Sequence, residues 1–256
     1  MPQILLLDAS AARVGERLAA GRLADVEVIT WSPDAGLRRG GNPIGPEQVD
    51  PVAGWISSDV FAAGCMQAYG ELLASFDSMR WLQSANAGLD HPVYDLLGAK
   101  GIRICKSGAQ SIPIAEYVLA HALAHYQQVG FRRDRQNNSE WKAHGFRELW
   151  HRHWLIVGYG HIGAGVAKRA KAFDCEITVI RQRQAADDFV DQVAPLSDIG
   201  QSLPVADFVV LACPATDCRI RCSPAIRAAS CAACGNHEFV IRSRRIEVLD
   251  TIVQHS

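Results

Sequence analysis

Three glycines stand in the order glycine-x-glycine-x-x-glycine, Gly158-Tyr159-Gly160-His161-Ile162-Gly163, directly after the short apolar run Trp154–Val157. Such spacing serves the binding of a pyrophosphate. Gly158 permits a tight turn, Gly160 lets the phosphates approach the chain, and Gly163 allows a helix to pack closely on the strand. A helical stripe of Ile162, Val166, Ala167, Ala170 and Phe173 follows. Its N-terminus would offer unpaired N–H groups and the positive end of a dipole to an anion. A second strand, predicted over Glu176–Ile180, completes a strand–turn–helix–strand unit. This context on both sides favours dinucleotide binding over a merely structural glycine turn.

The end of that second strand chooses between cofactors. A carboxylate about 20 residues past the glycines would bind the ribose 2′-hydroxyl of NAD. The sequence instead reads Ile180-Arg181-Gln182-Arg183. Arg181 and Arg183 could pair with a 2′-phosphate, which a carboxylate would repel. NADP(H) is therefore preferred, with NAD(H) retained as the alternative; two solvated arginines at a strand end are the competing structural reading.

The elements that must position these residues follow from apolar periodicity. Ile4–Leu7, Val26–Thr30, Trp55–Ser57, Trp81–Gln83 and Ile102–Cys105 read as strands, with helix-like spacing in segments such as Ala11–Ala20 and Phe61–Phe76. Strands alternating with helices imply βαβ units and parallel sheets, an α/β fold. A long helix is predicted over Ser111–Gln127, with Ser111 as its cap and Pro113 in its first turn. Its stripe is Ile114, Val118, Leu119, Ala122, Leu123 and Tyr126. From Phe131 to His153 the chain turns polar and charged and reads as a solvated connection, in preference to a connecting arm or subunit contact.

Composition excludes several classes. The chain has 256 residues, 48% of them hydrophobic, enough for a core without disulfide or metal staples. With 26 basic against 27 acidic residues, there is no electrostatic case for nucleic acid or an anionic membrane. No apolar run approaches the roughly 20 residues of a membrane span. The opening MPQILLLDAS lacks a basic n-region and a small-residue cleavage site, so it reads as a first buried strand and predicts a cytoplasmic protein.

Four stretches together resemble the D-isomer-specific 2-hydroxy-acid dehydrogenases. They are Trp81 to Asp90 (WLQSANAGLD), Ile114 to Ala120 (IAEYVLA), Leu155 to Gly163 (LIVGYGHIG) and Ala206 to Thr216 (ADFVVLACPAT). Their order and spacing match the family's over about residues 1–217. The resemblance implies two Rossmann-like or flavodoxin-like domains: a substrate domain over residues 1–100 and a dinucleotide domain over 101–256. It implies that the loop matching Asn86, Ala87 and Gly88 holds a substrate carboxylate through backbone N–H groups, as an anion nest can. Ala212, Cys213, Pro214 and Thr216 would line the adenosine side. The implied chemistry is hydride transfer between NAD(P)H and C2 of a small 2-oxo or 2-hydroxy acid. An arginine grips the carboxylate, and a histidine whose pKa a glutamate raises acts as general acid. A homodimer is implied by family habit.

After Thr216 the pattern departs. The last 44 residues hold six arginines, no lysine and one glycine, and five of the eight cysteines crowd Cys213–Cys234. A strand ending in an Asn-x-x-Arg-Gly motif is expected there; counting from Pro214 without gaps reaches Arg242, whose neighbours do not reproduce the motif. No histidine occupies the general acid's place, and the partner glutamate is not found. The second domain thus reads as incomplete, with 218–256 an anomalous tail of the kind a shifted reading frame or truncation produces. The alternative for such a chain is a catalytically inactive NAD(P)-binding protein. Cys218, Cys222, Cys231, Cys234 and His237 offer zinc-ligand spacing, but the loose first pair and the scarcity of glycine favour chance clustering, so no metal is assigned.

Overall fold

A computed structural model describes residues 1–20, 25–181, 187–213, 239–242 and 248–251, the last two stretches by their backbone. The chain divides into two compact units, Met1–Ala109 and Gln110–Val253.

The first unit contains β1 (Gln3–Leu7), α1 (Asp8–Ala20), β2 (Glu27–Ser32), β3 (Gly36–Arg39), β4 (Asn42–Pro43), β5 (Pro51–Ile56), α2 (Ser58–Ala62), α3 (Met66–Ser75), β6 (Trp81–Ser84), α4 (Pro92–Ala99) and β7 (Arg103–Cys105). They form one sheet in the order β4-β3-β2-β1-β5-β6-β7. Its parallel strands β2-β1-β5-β6-β7 follow the flavodoxin-like order 2-1-3-4-5. Leu5, Leu6 and Leu7 at the centre are all buried, as a parallel strand covered on both faces requires. Because β7 pairs with β6, the first unit runs on to Ala109 rather than closing at residue 100. The helical spacing over Phe61–Phe76 resolves into two helices, separated where Gly64 takes a left-handed φ of +63°.

The second unit contains α5 (Ser111–Tyr126), α6 (Val129–Asn137), β8 (His153–Val157), α7 (His161–Lys171), β9 (Glu176–Ile180), β10 (Gln192–Ala194), α8 (Ile199–Ser202), β11 (Phe208–Leu211), β12 (Phe239–Arg242) and β13 (Val248–Thr251). The sheet order is β10-β9-β8-β11-β12-β13. Along β8 the side chains alternate between two cores. Trp154 and Ile156 join Val118, Tyr126, Val166 and Phe208 on one face, while Leu155 and Val157 join Ile180, Ile199 and Ala206 on the other. This two-residue period with both faces covered is what a central parallel strand needs. Trp154 stacks on Phe208 at 4.6 Å between ring centroids.

Two local expectations are corrected. Ser111 does not cap α5: it is the first helical residue, Gln110 occupies the capping place, and no side chain caps it. The polar connection contains a helix, α6, that buries none of its residues, so no apolar stripe announced it. Around it Arg132 lies over the Phe146 ring and Arg135 over the Phe131 ring, each at 5.3 Å. Among the described residues no helix is long and apolar enough to cross a membrane.

Candidate functional site

The parallel strands of the second unit stand in the order β10-β9-β8-β11, the 3-2-1-4 arrangement of a dinucleotide fold. The chain order reverses between β8 and β11. In open α/β sheets ligands bind outside the carboxyl ends of the strands at that reversal. The glycine turn leaves β8 there, and Ala212 and Cys213 leave β11 beside it. The Ala212 N–H donates to Val157 O at 2.8 Å, and the Gly158 N–H donates to Ile180 O at 3.0 Å.

The three glycines have different physical reasons. Gly158 has φ +96°, and a Cβ there would lie 2.6 Å from Ala212 O. A Cβ on Gly163 would lie 2.3 Å from Gly158 O, so helix and turn touch through it. Gly160 is otherwise: its φ is −86°, and a Cβ would meet nothing within 4 Å. It is also the N-cap of α7, with no side chain capping the helix. The first N–H groups of an α-helix have no intrahelical partner, and here the helix starts beside the open space at Gly160 and an exposed His161. An uncapped helix start with free space in front of it fits a nucleotide pyrophosphate.

Arg181 follows β9 at the same edge. Its N–H donates to Ala194 O at 3.2 Å, and its guanidinium lies 4.8 Å from the centroid of the Tyr159 ring. Tyr159 is half-buried and packs against the core of the second unit, as do Ile162, Phe189 and Val190. Burial pushes the Tyr159 phenol above its ordinary pKa, and the Asp187 carboxylate pushes the same way. Gly158 to Gly163, Arg181, Ala212 and Cys213 are therefore together at one edge. Arg183, Pro214 and Thr216 lie outside the described residues, as do Cys218, Cys222, Cys231, Cys234 and His237. The Tyr159–Arg181 contact escaped the sequence reading; an aromatic residue inside the glycine turn was the only signal for it.

Arg242 lies in β12, which runs antiparallel to β11 with Arg242 opposite Val209. This direction carries it toward the start of β11, away from the edge holding Ala212 and the glycine turn. The carboxylate-gripping role is accordingly not assigned to Arg242. In the first unit, Asn86, Ala87 and Gly88 follow β6 as a half-buried loop. The Asn86 N–H donates to Ser84 Oγ at 3.1 Å, and Asn86 O accepts from the Ser107 N–H at 3.1 Å. Among the described residues the N–H groups of Ala87 and Gly88 donate no hydrogen bond. His121 and His125 sit on α5 against Tyr117 and Tyr126, with ring centroids 4.2 and 5.8 Å apart.

Residues 119–252 match the family model of the D-isomer specific 2-hydroxyacid dehydrogenase, NAD binding domain. The chain belongs to that family. The match continues past Thr216, where the family's recognisable motifs stop. Among curated relatives, a glyoxylate reductase from Pyrococcus furiosus is 34% identical over 93 residues, covering 31% of this chain and 26% of that protein. A D-isomer specific 2-hydroxyacid dehydrogenase family protein from Aeromonas salmonicida shares the fold with a TM-score of 0.66 at 24% identity, over 84% of this chain and 64% of that one. An NADPH-dependent glyoxylate/hydroxypyruvate reductase from Sinorhizobium meliloti, solved with NADP and sulfate, superposes with a TM-score of 0.62 at 18% identity, over 85% and 64%. The chain thus spans less than two thirds of each of these family members.

Proposed function

We propose that the chain binds NADP(H) at the edge formed by the glycine turn, and that it acts as a reductase of a small 2-oxo acid. The observation that carries this reading is the uncapped start of α7 at Gly160, open where a side chain would otherwise stand, at the reversal of strand order. The N–H groups at the start of α7 hold the pyrophosphate. Arg181, with Arg183, pairs with the 2′-phosphate; the strand end carries no carboxylate to bind a ribose 2′-hydroxyl instead. NAD(H) is the second cofactor to test. Ala212, Cys213, Pro214 and Thr216 line the adenosine side. The unused N–H groups of Ala87 and Gly88, with Asn86, receive the substrate carboxylate. When bound, the nicotinamide supplies a hydride for C2 of the 2-oxo acid. Family membership supports the reaction class and, by family habit, a homodimer, which light scattering of the purified chain would test.

Calorimetric titration with NADPH and, separately, NADH tests the site, and oxidation of NADPH in the presence of glyoxylate or hydroxypyruvate tests the reaction. Affinity without turnover would make the chain a nucleotide-binding protein; affinity for neither nucleotide would remove the reading altogether.

A further inference from the structure

Tyr159 and Arg181 meet for a backbone reason. The hydrogen bond from the Gly158 N–H to Ile180 O joins the ends of β8 and β9, so the next residue on each strand leaves the sheet edge beside the other. The Arg181 backbone is then fixed to the edge strand through Ala194 O, and the half-buried Tyr159 packs against the core of the second unit. Between the two fixed backbones the guanidinium comes to rest 4.8 Å from the ring centroid, within the range of a cation–π contact. The Asp187 carboxylate also faces this phenol, and one of its oxygens accepts the Phe189 N–H at 3.0 Å.

We propose that Tyr159 is a positioning residue for cofactor selectivity, its ring face holding the Arg181 guanidinium at the glycine turn where a 2′-phosphate arrives. The inference rests on the NADP(H) reading above and goes one residue further. An arginine side chain carries much rotamer freedom in general, which it must lose to pair with phosphate; Arg181 is half-buried and has part of that freedom removed already. A ring that supports the guanidinium contributes to removing that cost before the phosphate arrives. NADH lacks the 2′-phosphate, so its affinity does not depend on where Arg181 points. The effect is one of selectivity, not of nucleotide binding in general.

Titrating the full chain and its Tyr159→Leu and Tyr159→Phe variants with NADPH and NADH tests this. Tyr159→Leu removes the π face and is expected to weaken NADPH binding by about two- to five-fold with NADH unchanged. Tyr159→Phe keeps the face and is expected to keep the parent's NADPH/NADH ratio. In an Arg181→Ala background, Tyr159→Leu should have no further effect. An unchanged ratio in Tyr159→Leu overturns the inference, and so does an equal loss of both nucleotides or a Phe variant as impaired as Leu. A parent chain that binds neither nucleotide, or NADH alone, overturns the NADP(H) reading with it. A parent that prefers NADPH while Tyr159→Leu keeps that preference overturns the positioning role alone.

Discussion

At the scale of single residues, the glycine turn separates what the fold needs from what a ligand needs. Gly158 and Gly163 are fixed by their own surroundings: an added Cβ meets backbone atoms that cannot rotate away. Gly158→Ala and Gly163→Ala are each expected to cost about 1–3 kcal/mol of stability, measured by urea unfolding. Gly160 meets no such obstacle, at a φ that any residue adopts. Gly160→Ala should therefore unfold at the same urea concentration as the parent while losing most of its nucleotide affinity. A variant that still binds NADPH like the parent would show that the space before Gly160 is not where the phosphates go. The spacing of the glycines was legible in the sequence because backbone sterics impose it. The stacking of Arg181 on Tyr159 was not, because it depends on one hydrogen bond between two strand ends.

At the scale of elements, two polar clusters hold helix and strand ends in place. In the first unit Ser57 caps α2 by accepting the Asp59 N–H, and its hydroxyl also shares a hydrogen bond with the buried Ser10 near the start of α1. Asp59 accepts from Ser10 at 2.9 Å and from Arg13 at 2.8 Å. Ser57→Ala removes the cap and one partner of a buried hydroxyl, an expected loss of about 1–3 kcal/mol on chemical denaturation. In the second unit Asp191 pins the edge strand β10: it accepts the Ile177 N–H at 2.7 Å, and both of its oxygens lie 2.7 Å from Lys171 Nζ. Burial works against its charge, but the Lys171 ammonium and the Ile177 N–H prevail and hold its pKa below the ordinary carboxylate value of 3.8. A carboxyl depressed by folding lends stability above its unfolded pKa and loses it as the pH falls through the folded one. Asp191→Asn should cost about 1 kcal/mol at pH 7, discounted for the exposure of the pair, and the gap should close below about pH 4. A gap that stays constant on acidification would show that the ion pair contributes nothing. Strands such as β8 and β9 were legible because both of their faces are buried; β3, with Arg38 and Arg39 on a short outer strand, and α6, with no buried face, left no periodic apolar signal.

At the scale of the whole molecule, each unit has its own core of sheet and helix residues: Leu5, Ile56, Tyr69, Leu73 and Leu97 in the first, Trp154, Ile156, Val166 and Phe208 in the second. The glycine turn, Arg181 and the Ala212–Cys213 edge all belong to the second unit. A nucleotide that binds only folded protein stabilises what it binds by RT ln(1 + [L]/Kd), about 2.7 kcal/mol at a concentration of 100 Kd. For a unit of this size that corresponds to a rise in melting temperature of about 5–10 °C. Calorimetric melts with and without NADPH, followed by hydrogen exchange to assign the transitions, should show the second unit's melt rising by that amount. The slowed amides should include those around Gly160, Arg181 and Ala212. The same experiment on Gly160→Ala should show no shift at equal ligand concentration, which ties the gain to the turn rather than to nonspecific binding of a polyanion. A shift that persists in Gly160→Ala would place the nucleotide elsewhere on the molecule.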